Sequence, residues 1–219
     1  MNRKTIIMEI REDLKKYIET EIIPRYDAFD RAHRRDHAFQ VIARAVDMAT
    51  RLGEDIETAY TAAAYHDTGL AEGRELHHEA SGRIVRSDDN LRRWFSDEAV
   101  ETIACAVEDH RASAPHPPRT IYGRIVAEAD RAIDPETIVR RTVQYGLANH
   151  PELGREDQWE RTIAHLHDKY GDGGYLHLWL EESPNAEPLK RLRRLMHDTE
   201  RLRTIFEEAY NAETTACKP

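Results

Sequence analysis

The residues best equipped for chemistry gather between Tyr65 and Arg83, in YHDTGLAEGRELHHEASGR, where His66 adjoins Asp67 and His77 adjoins His78. The chain leading into them reads TAYTAAAY, a run of small side chains that a helix can carry into a core. A carboxylate and an imidazole delivered by such a helix would be buried, which is costly unless something neutralises the charge. A divalent metal would do so, and imidazole nitrogen with carboxylate oxygen suits Mn, Fe, Co, Ni or Zn better than calcium. Neighbours on a helix diverge by about 100°. His66 and Asp67 would therefore approach one ion from two sides, or the carboxylate would reach toward a second ion. The alternative is a hydrogen-bonded His/Asp pair without metal.

Twelve histidines in this composition would produce about one His-Asp dipeptide by chance, so the dipeptide alone decides nothing. Three occur. His197-Asp198 lies in a charged helical stretch and reads as a solvated face, and His167-Asp168 lies near an Asp/Gly turn where helix-end charge explains it. Cys105 and Cys217 have neither zinc-site nor disulfide spacing.

Helices must position these groups. Ile6, Ile7, Ile10, Leu14, Tyr17, Ile18 and Ile22 predict a helix over 3–23 stopped by Pro24, and a second runs over 31–52 to Gly53. A third, opened by Asp55 or Glu57, delivers His66-Asp67. Further helices are expected over 76–87, 97–110, 120–133, 136–148, 156–169 and 186–211, with no alternating strand between them. The expectation is an all-α single domain, 1–219: a motif-bearing core over about 30–135, a helical part over 136–212 and a tail over 213–219. The long last helix could pack back on the domain or on a second subunit. A formal charge of -9 argues against duplex nucleic acid as a partner. The early charges of MNRKTIIMEIREDLKK and the lack of a long apolar run predict a cytoplasmic chain without a membrane span.

The order His37 in HRRDHAFQVIARAVDMA, His66-Asp67 in AAAYHDTG and Asp130 in GRIVAEADRAID resembles the HD-domain superfamily of metal-dependent phosphohydrolases. HHEASGRIVR and AVEDHRAS look like the extra histidine segments of its soluble bacterial members. Gln40, Leu70 and Ala132 depart from residues frequent there. The resemblance implies a helical bundle and a first metal site of His37, His66, Asp67 and Asp130. His110 with either His77 or His78 could complete a second site bridged by Asp67, for one or two divalent ions per chain. Asp109 and Glu79 could orient imidazoles. Arg111, Arg119 and Arg131 are the phosphate-contact candidates, and His116 reads as a loop residue.

The implied activity is hydrolysis of a phosphate ester or anhydride, in a nucleotide or another small phosphorylated metabolite, by metal-activated water with His66 and Asp67 at the centre. A di-iron oxygenase of the same fold and a noncatalytic binding or signalling module are the alternatives. Oxygen consumption without phosphate release would mark the first.

Overall fold

In a computed structural model, the described residues are 9–29, 33–114 and 116–216; the expected helix over 3–23 begins partly outside them. Nearly three quarters of the described residues are helical, and no strand occurs among them. No described helix is long and apolar enough to cross a membrane. The backbone divides into two compact units, Met1–Arg131 and Ala132–Pro219.

The first unit opens with helix α1, Glu12–Tyr17, which widens to a π-turn over Ile18–Ile22 and tightens to a 3₁₀ segment over Ile23–Ala28. Pro24 therefore does not stop the helical path as expected. It sits in the first turn of the 3₁₀ segment, where its missing N–H has no intrahelical partner to lose. Leu14, Ile18, Ile22, Ile23 and Tyr26 are all buried along this path.

Helix α2, Arg35–Leu52, ends at Gly53, whose φ of 74° is the left-handed conformation that favours glycine at a C-cap. Helix α3, Ile56–Tyr65, starts where the Asp55 side chain accepts hydrogen bonds from the backbone N–H groups of Glu57 and Thr58. Nine of its ten residues are buried, because small side chains let α2, α5 (Asp97–Glu108) and α6 (Ile121–Asp130) approach it closely. A 3₁₀ turn, Thr68–Glu72, leads toward α4, His77–Ser87, which packs on both that turn and α5.

The second unit holds α7 (Pro135–Asn149), α8 (Arg155–Tyr170), α9 (Ala186–His197) and α10 (Thr199–Ala216). Its core joins Ile138, Val139, Leu166, Leu192 and Ile205, and the Trp159 ring meets Phe206 with centroids 5.2 Å apart. The single helix expected over 186–211 is two. Asp198 leaves the helical conformation at φ -92° and ψ 81°, and its carboxylate accepts from Arg201 N at 3.0 Å, capping α10.

Candidate metal centre

Six side chains from five structural elements converge within the first unit. His37 comes from the first turn of α2, and His66 and Asp67 from the end of α3. His77 is the first residue of α4, His110 follows α5, and Asp130 closes α6. Asp67 lies at φ -107° and ψ 4°, the sparsely populated bridge region where helix gives way to turn.

Donor atoms of His37, His66 and Asp67 lie within 4.8 Å of one another, and Asp130 stands against the two imidazoles. His37 Nε2 is 3.1 Å from Asp130 Oδ1 and 3.3 Å from His66 Nε2. His66 Nε2 is in turn 3.1 Å from Asp67 Oδ2. The opposite pairs, His37 with Asp67 and His66 with Asp130, are each 3.8 Å apart. The other oxygen of Asp67 faces a second group: Oδ1 is 3.4 Å from His77 Nε2 and 3.5 Å from His110 Nε2, and those two nitrogens are 3.2 Å apart.

The imidazoles are oriented from behind. Nδ1 of His66 donates to Ala63 O at 2.8 Å, Nδ1 of His77 to Arg74 O at 2.8 Å, and Nδ1 of His110 to Val107 O at 2.6 Å. Each carbonyl fixes the Nδ1–H tautomer and turns an Nε2 lone pair toward the centre. Two such lone pairs at 3.2 Å repel unless a proton or a cation lies between them. Donors each about 2.1 Å from one ion are about 3.0 Å apart at octahedral and about 3.4 Å apart at tetrahedral angles. The observed separations, 3.1 to 3.8 Å, overlap that range, so His37, His66 and Asp67 on one side and Asp67, His77 and His110 on the other could hold a divalent transition metal.

Charge balance points the same way. Burial pushes His66 down, but the charge and hydrogen bond of Asp67, with Asp130, carry it up to about 9. Burial would raise the Asp67 carboxyl, yet His66 and His110 hold it well below the usual range. Burial, the largest effect, would raise Asp130, but the hydrogen bond of His37 together with the charges of His66 and His110 holds it at about 2. Burial, then the neighbouring charge of His110, lowers His77 to about 4.

The positions of the remaining candidates differ. His78 turns away from Asp67 and lines a separate cavity of about 370 Å³ with Glu79, Arg83, Asp109, His116 and Arg119. Arg119 does not face the donors: it donates through N and Nε to Asp109 at 2.7 and 3.0 Å and through Nη2 to Glu108 at 2.7 Å. Asp109 thus engages Arg119 where an imidazole partner was expected. Arg131 is buried at the C-cap of α6. Arg111 donates from Nη1 to Glu75 O at 2.7 Å, and its charge acts on His77 and His78. His167-Asp168 is exposed on α8, and His197-Asp198 marks the α9–α10 break.

Two supporting residues carried no signal in the spacing. Gly69 is one: a Cβ there would lie 2.1 Å from His77 O and 2.5 Å from Ser81 N, so only glycine lets α4 close on the turn after Asp67. Its N–H donates to Ser81 Oγ at 2.7 Å. Tyr26 is the other, with its hydroxyl donating to Ala64 O at 2.9 Å.

The family comparison covers this same stretch. Residues 34–133 match the HD-domain model and include all six converging residues. Over that stretch the chain is similar to an HD domain. The fold of the whole chain is similar to the crystal structure of a predicted HD superfamily hydrolase from an uncultured Thermotogales bacterium, with a TM-score of 0.52 and 21% identity over 97% of this chain and 99% of that one. At that identity the likeness is one of fold. Among curated proteins no relative matches the chain. Tyr26, which touches the His66-Asp67 turn, precedes the matched residues.

Proposed function

We propose that this protein is a metal-dependent phosphohydrolase acting on a phosphate ester or anhydride of a small metabolite or nucleotide. The observation that carries the reading is the division of Asp67, one oxygen toward His37 and His66 and the other toward His77 and His110. A carboxylate shared between two sets of imidazoles, three of them tautomer-fixed, is an arrangement suited to a pair of divalent ions. The chemistry such ions supply when bound is a lowered pKa for coordinated water and polarisation of a phosphoryl oxygen.

The protein's own part is holding, access and charge. His66, Asp67 and His110 have side chains only 0, 5 and 3% exposed, whereas Asp130, His37 and His77 are 29, 21 and 14% exposed. Substrate therefore enters along the Asp130, His37 and His77 edge. His77, neutral at pH 7, keeps its Nε2 lone pair available there. Arg111 supplies positive charge on that side and is the phosphate contact we assign. No nucleophilic serine or cysteine is needed, because water is the nucleophile.

The test is a screen of metal-reconstituted protein for phosphate release from nucleotides and small phosphorylated metabolites, run beside an oxygen electrode. Phosphate release lost in His66→Ala supports the hydrolase. Substrate-dependent oxygen uptake by the iron-loaded protein, without phosphate release, would move the assignment to an oxygenase. Neither activity across the screen would favour a noncatalytic binding module.

A further inference from the structure

Helix α3 ends at the residues that matter most, and ending a helix inside a core leaves backbone groups to satisfy. Had α3 continued, the N–H of Asp67 would have turned to Ala63 O and the N–H of Thr68 to Ala64 O. Ala63 O instead receives the Nδ1 proton of His66 at 2.8 Å. One donor at Asp67 and one acceptor at Ala64 are left in a region closed to solvent.

A single hydroxyl answers both. Tyr26 Oη donates to Ala64 O at 2.9 Å and accepts from Asp67 N at 3.3 Å, and it lies 3.4 Å from His66 Nδ1. The tyrosine is fully buried, its ring 6.1 Å from that of His66. It comes from the 3₁₀ segment Ile23–Ala28, reached from α1 through the π-turn, and that segment precedes the residues matched by the family model.

We infer that Tyr26 is a positioning residue for the metal ligands: its hydroxyl replaces the helix bonds lost at Ala64 and Asp67, holding the Asp67 backbone where the carboxylate presents one oxygen to each donor group. The N-terminal segment is then part of the centre's support and not merely a cover over the core. This inference rests on the metal-centre reading above.

Tyr26→Phe tests it, because the ring that fills the core stays and only the hydroxyl goes. Tyr65→Phe is the control: Tyr65 immediately precedes His66 in the chain and its Oη donates to Asp88 Oδ2 at 2.5 Å, so this variant also loses a tyrosine hydroxyl bond, yet that hydroxyl touches none of the six converging residues. Full-length, metal-free protein would be titrated with Co(II) by calorimetry and visible absorption, alongside His66→Ala and the melting temperature of each metal-free variant. The expected result for Tyr26→Phe is a Co(II) affinity about 10- to 100-fold weaker with an altered absorption band, as for loss of an outer-shell partner, and wild-type binding for Tyr65→Phe. Tyr26→Phe binding Co(II) with wild-type affinity and spectrum would overturn the inference while leaving the metal centre standing. Equal weakening in both tyrosine variants would also overturn it, as a general loss of stability. Wild-type protein that takes up no Co(II), like His66→Ala, would overturn the metal reading and the positioning role together.

Discussion

His77 Nε2 lies 3.4 Å from Oδ1 of Asp67, the oxygen that His66 does not face. Its neighbour His78 lines the cavity beside Arg119. One residue along a helix is a turn of about 100°, and here it separates a side chain that faces Asp67 from one that lines the cavity. His77→Ala should cut turnover by at least ~100-fold and lower metal content, whereas His78→Ala should stay within about threefold of wild type, since it removes no donor from the centre. Steady-state phosphate release with metal analysis of both variants checks this.

Gly69→Ala places a methyl group against backbone atoms of His77 and Ser81, which cannot rotate aside. The expected cost is roughly 1–3 kcal/mol or more of stability, with weaker metal binding because α4 must move and take His77 with it. Chemical denaturation in the presence and absence of metal would measure both effects. Unchanged stability would mean that the turn and α4 are not held at this spacing.

The arginines should separate by phenotype. Removing Arg111 should lower kcat/KM roughly 10- to 100-fold, as loss of a charged phosphate contact, with little change in melting temperature. Removing Arg119 leaves the buried Asp109 short of its Nε donor and should instead lower stability by about 1–3 kcal/mol. Paired kinetics and thermal melts of the two alanine variants give the comparison.

The metal-free protein should have a distinctive pH response. His66, raised from 6.5 to about 9, contributes stability that is fully present below pH 6.5 and is lost as pH rises through 9. Asp130, held at about 2, contributes stability present above 3.8 and lost as pH falls through 2, and Asp67 acts in the same direction. His77 is lowered to about 4, so it costs stability as pH falls from 6.5 toward 4. The cluster's contribution therefore peaks near pH 6.5. Because His66 must lose its proton to bind a metal, affinity should rise about tenfold per pH unit from near neutrality up to 9, and then level off. Calorimetry in buffers of different ionisation enthalpy at pH 7.5 should show proton release on binding; its absence would contradict the raised pKa.

Much of this architecture is legible in the chain because apolar spacing and caps are local signals. Asp55 before IETAY, Gly53 after α2, and Asp134 before Pro135 mark helix ends where they occur. Asp198 reads as part of a solvated helical face because LKRLRRLMHDTERLRTIF keeps helical spacing on both sides of it, and a capping aspartate looks like a surface one until its acceptor geometry is known. The convergence of His37, His66, Asp67 and Asp130 followed from ordered motifs, but the choice of His77 over His78 depends on helix phase. Tyr26 lies about forty residues before Asp67 in sequence, and nothing in a row of buried apolar positions distinguishes a tyrosine that fills space from one that also replaces helix hydrogen bonds. Arg119 shows the converse: nearness in sequence suggested a substrate contact, while Asp109 and Glu108 engage it in the fold.

The central claim is that Asp67 is shared between two metal positions, and metal content tests it most directly. Elemental analysis of untagged, reconstituted protein should find about two divalent ions per chain in the wild type and fewer than about one in Asp67→Asn, which keeps the shape but removes the bridging charge. A wild type that binds no metal after reconstitution, or an Asp67→Asn variant that keeps two, would contradict it.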